Sequence, residues 1–407
     1  LTDTNILFIS LNGHQRRYFK WLGKGLASRY KVFHVHYTAN IFNGIFRSEK
    51  LPADFIITPE EIDEITLFLR IKAEYRNFGP LRNLLHSKEF LTHQAYGAIY
   101  YFYDYMEKHN IDLVCVWNGT LIPLAAATTV ARKTGRKTLF FENGYLPGTT
   151  TVDPCGVNYK NSLVGKTRLF YDAVQVDPDK LAQLYEQEQR VRALKQKWYH
   201  RLLKRQPQGS PEPVKLPQRY IFLPFQVHDD TQVLMHSPTI KTMFQLVDYV
   251  IPAVLRHNEK TGDNLWVIAK EHPSDFGRID YGEIKEKYQG FPVIFLRYYP
   301  TPALIKGAKG IITLNSSVGI EALLQHKPVI TLGNAFYNVP GLVKHVAPPE
   351  DLADVLGFVD CPPNDNLIDK FLYYLRYHYL ADGSWRSPDE RHFRSVEAKI
   401  RAVIENR

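Results

Sequence analysis

Three cysteines are all the chain has in 407 residues. Cys115, Cys155 and Cys361 are odd in number and widely spaced, which excludes a disulfide framework or a zinc ribbon and points to a reducing compartment. No apolar run approaches the ~18 residues needed to span a bilayer. The longest candidate, Leu121 to Ala131, is broken by Pro123 and rich in Ala and Thr, the pattern of a buried helix. The chain opens at Leu1 without a Met and without a signal-peptide pattern, so a module of a longer polypeptide is expected. Zinc-finger, RNP-like and helix-turn-helix signatures are missing, which argues against nucleic acid as a partner. Nor does Leu11-Asn12-Gly13-His14, after the first apolar run, carry the glycine fingerprint of dinucleotide folds.

What is present is a net charge of +9, which suits anionic partners such as nucleotide-linked substrates or an anionic membrane surface. Hydrophobic content of 44% and charged content of 23% are those of a globular protein, long enough for two or three domains.

Strand and helix patterns alternate along the chain. Asn5–Ser10, a helix from Arg16 to Tyr30 and Lys31–His36 make a βαβ opening. Tyrosine-rich helical sequence follows from about 60 to 108, then strands at 111–117 and 137–141. The second of these leads into Glu142-Asn143-Gly144-Tyr145-Leu146-Pro147-Gly148, a carboxylate in a Gly/Pro-rich loop where α/β folds display acids and bases. A helix from about 177 to 205 ends with Arg190, Arg192, Lys195, Lys197, Arg201, Lys204 and Arg205 among Val191, Leu194, Trp198, Leu202 and Leu203. That amphipathic pattern fits either a solvated helix face or peripheral contact with an anionic membrane. The Pro-rich stretch 206–218 reads as a linker. The expected division is an N-terminal domain over 1–205, a second domain over 219–375 and a helical tail over 376–407. Both domains carry the Rossmann-like, doubly wound α/β rhythm.

Two strand ends in the second half concentrate polar chemistry. Leu265–Ala269 ends in Lys270-Glu271-His272-Pro273, and Gly310–Leu314 ends in Asn315-Ser316-Ser317 before the helical face of Ile320, Leu323 and Leu324. Small polar residues at a helix start, with a cation and an imidazole nearby, are the components of a phosphate site at the carboxyl edge of a parallel sheet. The stretch Gln226-Val227-His228-Asp229-Asp230-Thr231-Gln232 adds two carboxylates, which are either catalytic or a helix-capping pair.

Those three motifs in order, continuing into Lys327-Pro328-Val329 and Gly333, resemble the bacterial β-Kdo transferases of capsule synthesis and of O-antigen capping. Trp117-Asn118-Gly119 and Glu142-Asn143-Gly144-Tyr145 carry the resemblance into the first half. It implies a GT-B fold, two Rossmann-like domains facing a central cleft. It also implies transfer of Kdo (3-deoxy-manno-octulosonic acid) from CMP-β-Kdo to a glycan acceptor with retention, without a metal or other cofactor; the expected location is the cytoplasm, with the inner face of the inner membrane as the peripheral alternative. Within it, Asp230 is the expected nucleophile with Asp229 as rival, Glu142 the acceptor base, and His272 the group that holds the leaving phosphate. Lys270, Asn315, Ser316, Ser317, Glu321 and Gln232 are the expected donor-binding residues. An inverting CMP-sugar transferase, a UDP-sugar transferase and a non-catalytic glycan- or membrane-binding module remain the alternatives.

Overall fold

A computed structural model describes residues 4–37, 51–75, 85–203 and 214–405, without side chains over 195–203. The side chains of Lys195, Lys197, Trp198, Arg201, Leu202 and Leu203, together with Lys204, Arg205 and the first part of the Pro-rich stretch, therefore lie outside the described residues. The chain forms two α/β units, Leu1–Ser162 with Tyr379–Arg407, and Leu163–His378. Each is built on one six-stranded, mainly parallel sheet. Each is a Rossmann-like, doubly wound unit of the kind expected from the sequence.

The first sheet comprises β1 (Asn5–Ser10), β2 (Lys31–His36), β3 (Leu113–Trp117), β4 (Lys137–Asn143), β5 (Thr149–Asp153) and, from the far end of the chain, β12 (Ala381–Asp382). Their order is β12-β5-β4-β3-β1-β2, with β1 to β4 parallel and β5 antiparallel to both neighbours. Leu7 and Ile9 face helices Pro59–Glu74, Lys88–Lys108 and Ile122–Lys133, while Ile6 and Phe8 face Gly13–Leu26 and Glu390–Glu405. Both faces are covered, so the central strands read as unbroken apolar runs.

The second sheet comprises β6 (Tyr220–Pro224), β7 (Trp266–Lys270), β8 (Val293–Leu296), β9 (Gly310–Thr313), β10 (Val329–Thr331) and β11 (Lys344–His345). All pairs are parallel in the order β11-β10-β9-β6-β7-β8. The chain moves from β6 outward to β8, then returns to the other side of β6 at β9. That reversal opens a crevice at the carboxyl ends of β6 and β9, the usual ligand position in doubly wound sheets.

The division of the chain differs from the expectation. Helix Pro178–Leu203 belongs to the second unit, where Tyr185 Oη donates to Asp369 Oδ1 (2.5 Å) and Arg192 Nη2 to the Leu324 carbonyl (3.0 Å). The expected boundary therefore falls inside that unit, because local composition does not report which core the neighbouring helix covers. The C-terminal helix, in turn, completes the first unit. Lys137 Nζ donates to the carbonyls of Val403 and Ile404 at 2.7 and 2.8 Å, placing a cation on the helix's negative end. The Gly/Pro-rich stretch after β4 forms a β4–β5 hairpin: Glu142 and Asn143 are paired with Thr151 and Thr150, and 144–148 make the tip, where a Cβ on Gly144 would collide with Thr149.

His392, wholly buried, joins that last helix to the first sheet's core. Its Nδ1 donates to the Asp382 carbonyl (2.6 Å), and its Nε2 accepts from Tyr18 Oη (2.8 Å). Burial lowers its pKa from the ordinary 6.5, although Asp382 and Asp389 pull the other way. The unfolded chain therefore takes up this proton first as pH falls, and the stability from neutral His392 is lost from about pH 6.5 downward. Denaturant unfolding should show a falling midpoint between pH 7 and 5 that is shallower in His392→Gln. An equal slope in both proteins would remove His392 from the account.

Candidate active site

The crevice between β6 and β9 is closed at its base by two buried amides. Gln226, one residue beyond the loop start at Phe225, donates from Nε2 to Asn315 Oδ1 (3.0 Å) and accepts the Asn315 backbone N–H on Oε1 (3.2 Å). Asn315 Nδ2 donates to the carbonyl of Gln232 (2.8 Å). These bonds engage both amides within the protein, so Asn315 acts by positioning the loops that follow β6 and β9. Nothing in the motif distinguishes Gln226 from its neighbours; its pairing with Asn315 reveals its part.

Asp230 stands at the N-terminus of helix Thr231–His236. Its Oδ1 accepts from Thr231 Oγ1 (3.0 Å) and the Gln232 N–H (3.2 Å), while Oδ2 carries no hydrogen bond among the described residues. Asp229 is differently occupied: Arg278 Nη2 lies 2.9 Å from its Oδ1. A third acid, Asp275, lies 1% exposed in the turn after His272-Pro273. Its Oδ2 accepts the His228 N–H (3.0 Å) and Tyr281 Oη (3.3 Å), tying the β7 loop to the β6 loop. The sequence shows this acid two residues after Pro273 but gives no sign of its burial. Gln232 contributes a buried Oε1 without a hydrogen-bond partner, an acceptor of the kind that calls for a water or ligand donor.

At the end of β7, His272 caps the short turn Pro273–Asp275 by accepting the Ser274 N–H on Nδ1 (3.1 Å). The neutral ring therefore carries its proton on Nε2. Burial lowers the His272 pKa; Asp275 and Asp230 raise it and Lys270 lowers it further. Burial also lowers Lys270, opposed by Glu321. These mutual effects bring Asp230, His272, Lys270 and Glu321 into one electrostatic group. Glu271 does not join it. Its carboxylate is buried and paired with Lys285 Nζ at 2.5 Å.

The β9 end supplies the helix start Val318–Leu323. Ser316 Oγ accepts the Val318 N–H (3.1 Å), whereas Ser317 is exposed and its hydroxyl makes no capping bond. Tyr337 Oη donates to the Ser316 carbonyl (2.5 Å) and packs against Gly319, where an added Cβ would lie 2.5 Å from that oxygen. The glycine in the motif is there because Tyr337 holds the turn from behind. One cation was not singled out among the donor-binding residues: Arg192, beside Glu321 and bonded to the Leu324 carbonyl.

In the first unit, Glu142 is the next-to-last residue of β4. Its Oε2 accepts Asn118 Nδ2 (2.9 Å) and its Oε1 the Asn143 N–H (2.8 Å). Asn118, at a positive φ of 61°, hydrogen-bonds Thr120 as well, so the loop after β3 orients the carboxylate. Among the described residues no three His, Cys, Asp or Glu side chains could hold a metal ion, and no helix is long and apolar enough to cross a membrane.

The family model described as capsule polysaccharide biosynthesis protein matches residues 178–380. Protein FixF of Sinorhizobium fredii is 32% identical over 297 residues, 72% of this chain and 67% of FixF. The capsule polysaccharide export protein KpsS of Escherichia coli is 32% identical over 133 residues, 31% of this chain and 33% of KpsS. Among solved structures, Thermosulfurimonas dismutans KpsC, beta Kdo 2,7 transferase, aligns over 98% of this chain and 99% of its own at 16% identity, with a TM-score of 0.49. By the family model and the long FixF match, this chain belongs to the capsule polysaccharide biosynthesis family.

Proposed function

We propose that the chain is a retaining β-Kdo glycosyltransferase, taking Kdo from CMP-β-Kdo to a glycan acceptor in bacterial surface polysaccharide synthesis. The observation that carries this reading is the group of Asp230, His272, Lys270 and Glu321 beside the β6–β9 crevice. It combines a carboxylate with one uncommitted oxygen and two cationic or hydrogen-donating groups, which double displacement at a phosphate-activated sugar requires.

In the first step Asp230 Oδ2 attacks the anomeric carbon of Kdo. The carbon–oxygen bond to the phosphate breaks, and CMP leaves with the electron pair. His272 Nε2–H and Lys270 neutralise the phosphate, work that falls to cations and N–H donors in this reading and not to a metal. Ser317, at the helix start, is a further candidate donor to the phosphate, and Glu321 is suited to the ribose hydroxyls. In the second step Glu142 takes the proton of the acceptor hydroxyl, whose oxygen displaces Asp230 and restores the original configuration. Asp229 is the weaker nucleophile because its carboxylate is held by Arg278.

The capping role of Asp230 offers a clean separation of structure from chemistry. Asn caps a helix about as well as Asp, so Asp230→Asn should keep stability within about 0.5 kcal/mol. Transfer should nonetheless fall by about a thousandfold or more. CMP release from CMP-Kdo, with product configuration read by NMR, is the measurement. Undiminished turnover in the variant, or an α-linked product, would defeat the double-displacement reading.

His272→Asn keeps a short acceptor for the Ser274 N–H and removes the Nε2–H donor. Calorimetry should then show CMP binding weakened by about tenfold, the worth of one hydrogen bond to a charged group. Unchanged affinity would take His272 out of the phosphate site.

A further inference from the structure

The carboxyl ends of β1 and β2 hold a second concentration of chemistry, in the first unit and unused by the mechanism above. Ser10, the last residue of β1, is wholly buried and pairs in register with His36. His34 lies two residues back on the same strand and hence on the same face. Ser10 Oγ is 3.1 Å from His34 Nε2 and 3.0 Å from His36 Nδ1.

One hydroxyl donates a single proton, so it donates to one ring and accepts from the other. Two arrangements follow for neutral rings. Either His36 Nε2 or His34 Nδ1 is left bearing an N–H. Among the described residues neither outer nitrogen has a hydrogen-bond partner, and both rings are only half-buried. A ligand can therefore reach a donor that the fold leaves unused.

Among the described residues, the charged groups that act on His34 are all basic: Lys20, Arg16 and His36. Arg16 and Lys20, one turn apart on helix Gly13–Leu26, are exposed and form no ion pair among the described residues. That helix has no acid in its first turn. Burial first, and then the charges of Lys20, Arg16 and His36, together bring the His34 pKa down to about 4. A lone surface cation is ordinarily just solvated. Two of them acting on a Ser–His–His cluster at the edge of a parallel sheet, with no carboxylate among the described groups that act on His34, are the surroundings of a bound anion.

We propose that Ser10, His34, His36, Arg16 and Lys20 form an oxyanion site that receives a carboxylate or phosphate group of the acceptor. The buried hydroxyl fixes the two rings, the uncommitted ring N–H donates to one oxygen, and the two side chains of helix Gly13–Leu26 supply the charge. Naming the acceptor as the source rests on the glycosyl-transfer reading; the anion site itself does not.

The test is titration of the intact chain, without donor, with inorganic phosphate and separately with free Kdo, following the imidazole resonances by NMR. His34→Gln and His36→Gln assign the two signals. Saturable shifts of both rings are expected, with affinity reduced by about tenfold or more in Arg16→Ala/Lys20→Ala. Because these two side chains are exposed, the double variant should fold. Saturation by phosphate but not by Kdo would identify a phosphate-bearing acceptor, and the reverse a sugar acid. No shift with either probe, equal shifts with chloride at matched ionic strength, or undiminished affinity in the double variant would overturn the site. Neither donor nor turnover enters the titration, so its failure would leave the transferase reading intact, and failed CMP release would leave this site intact.

Discussion

The hydrogen-bonded pair of Gln226 and Asn315 is the constraint on which the second unit's chemistry depends. It sits where the sheet reverses direction, between strands joined in register only at Ile221–Gly310 and Phe222–Ile311. Beyond those rungs the two chains diverge, and the crevice would have nothing to set its width. Two buried amides bonded to each other, and to the carbonyl of Gln232, set it. Leaving one such group unpaired costs about 1–3 kcal/mol, so the loops are held against alternatives of that order. Asp275 does the same between the β7 and β6 loops through the His228 N–H. Asp230 and His272 thus stand on loops held by this framework.

Around that framework, burial and charge oppose one another. Desolvation disfavours the cationic forms of Lys270 and His272, while Glu321 and Asp230 favour them. A site in that balance is best satisfied when a further anion arrives, because the anion adds the favourable term without adding water. The Ser10 cluster in the first unit differs in having no carboxylate among the groups acting on His34. In the proposed readings, the crevice site carries acid and base chemistry and the Ser10 cluster holds charge.

Much of the fold was legible because the central strands are covered on both faces. Tyr220–Pro224 and Gly310–Thr313 are runs of apolar residues that leave few other readings. The hairpin strand Thr149–Asp153 was not legible, since Thr-Thr-Thr-Val-Asp after a Gly/Pro-rich turn has no periodicity to distinguish it from loop. The division of the chain was misread for a related reason. Proline and glycine report local exposure, whereas the side of the boundary on which Pro178–Leu203 falls is decided by its contacts with Asp369 and Leu324.

The candidate site divides along the same line. Sequence alone determined which residue types gather at which strand ends, because strand, turn and helix start follow from local pattern, and so His272, Ser316, Ser317 and Asp230 could be named. Tertiary structure alone decided what each one does with its polar atoms. Glu271, equal to its neighbours in the motif, turns to Lys285 and leaves the group, while Asp229 goes to Arg278. Asn315, expected at the donor, bonds through its amide to Gln226 and the Gln232 carbonyl. The partner of a side chain is set by what distant segments bring within 3 Å of it, and local pattern carries no record of that.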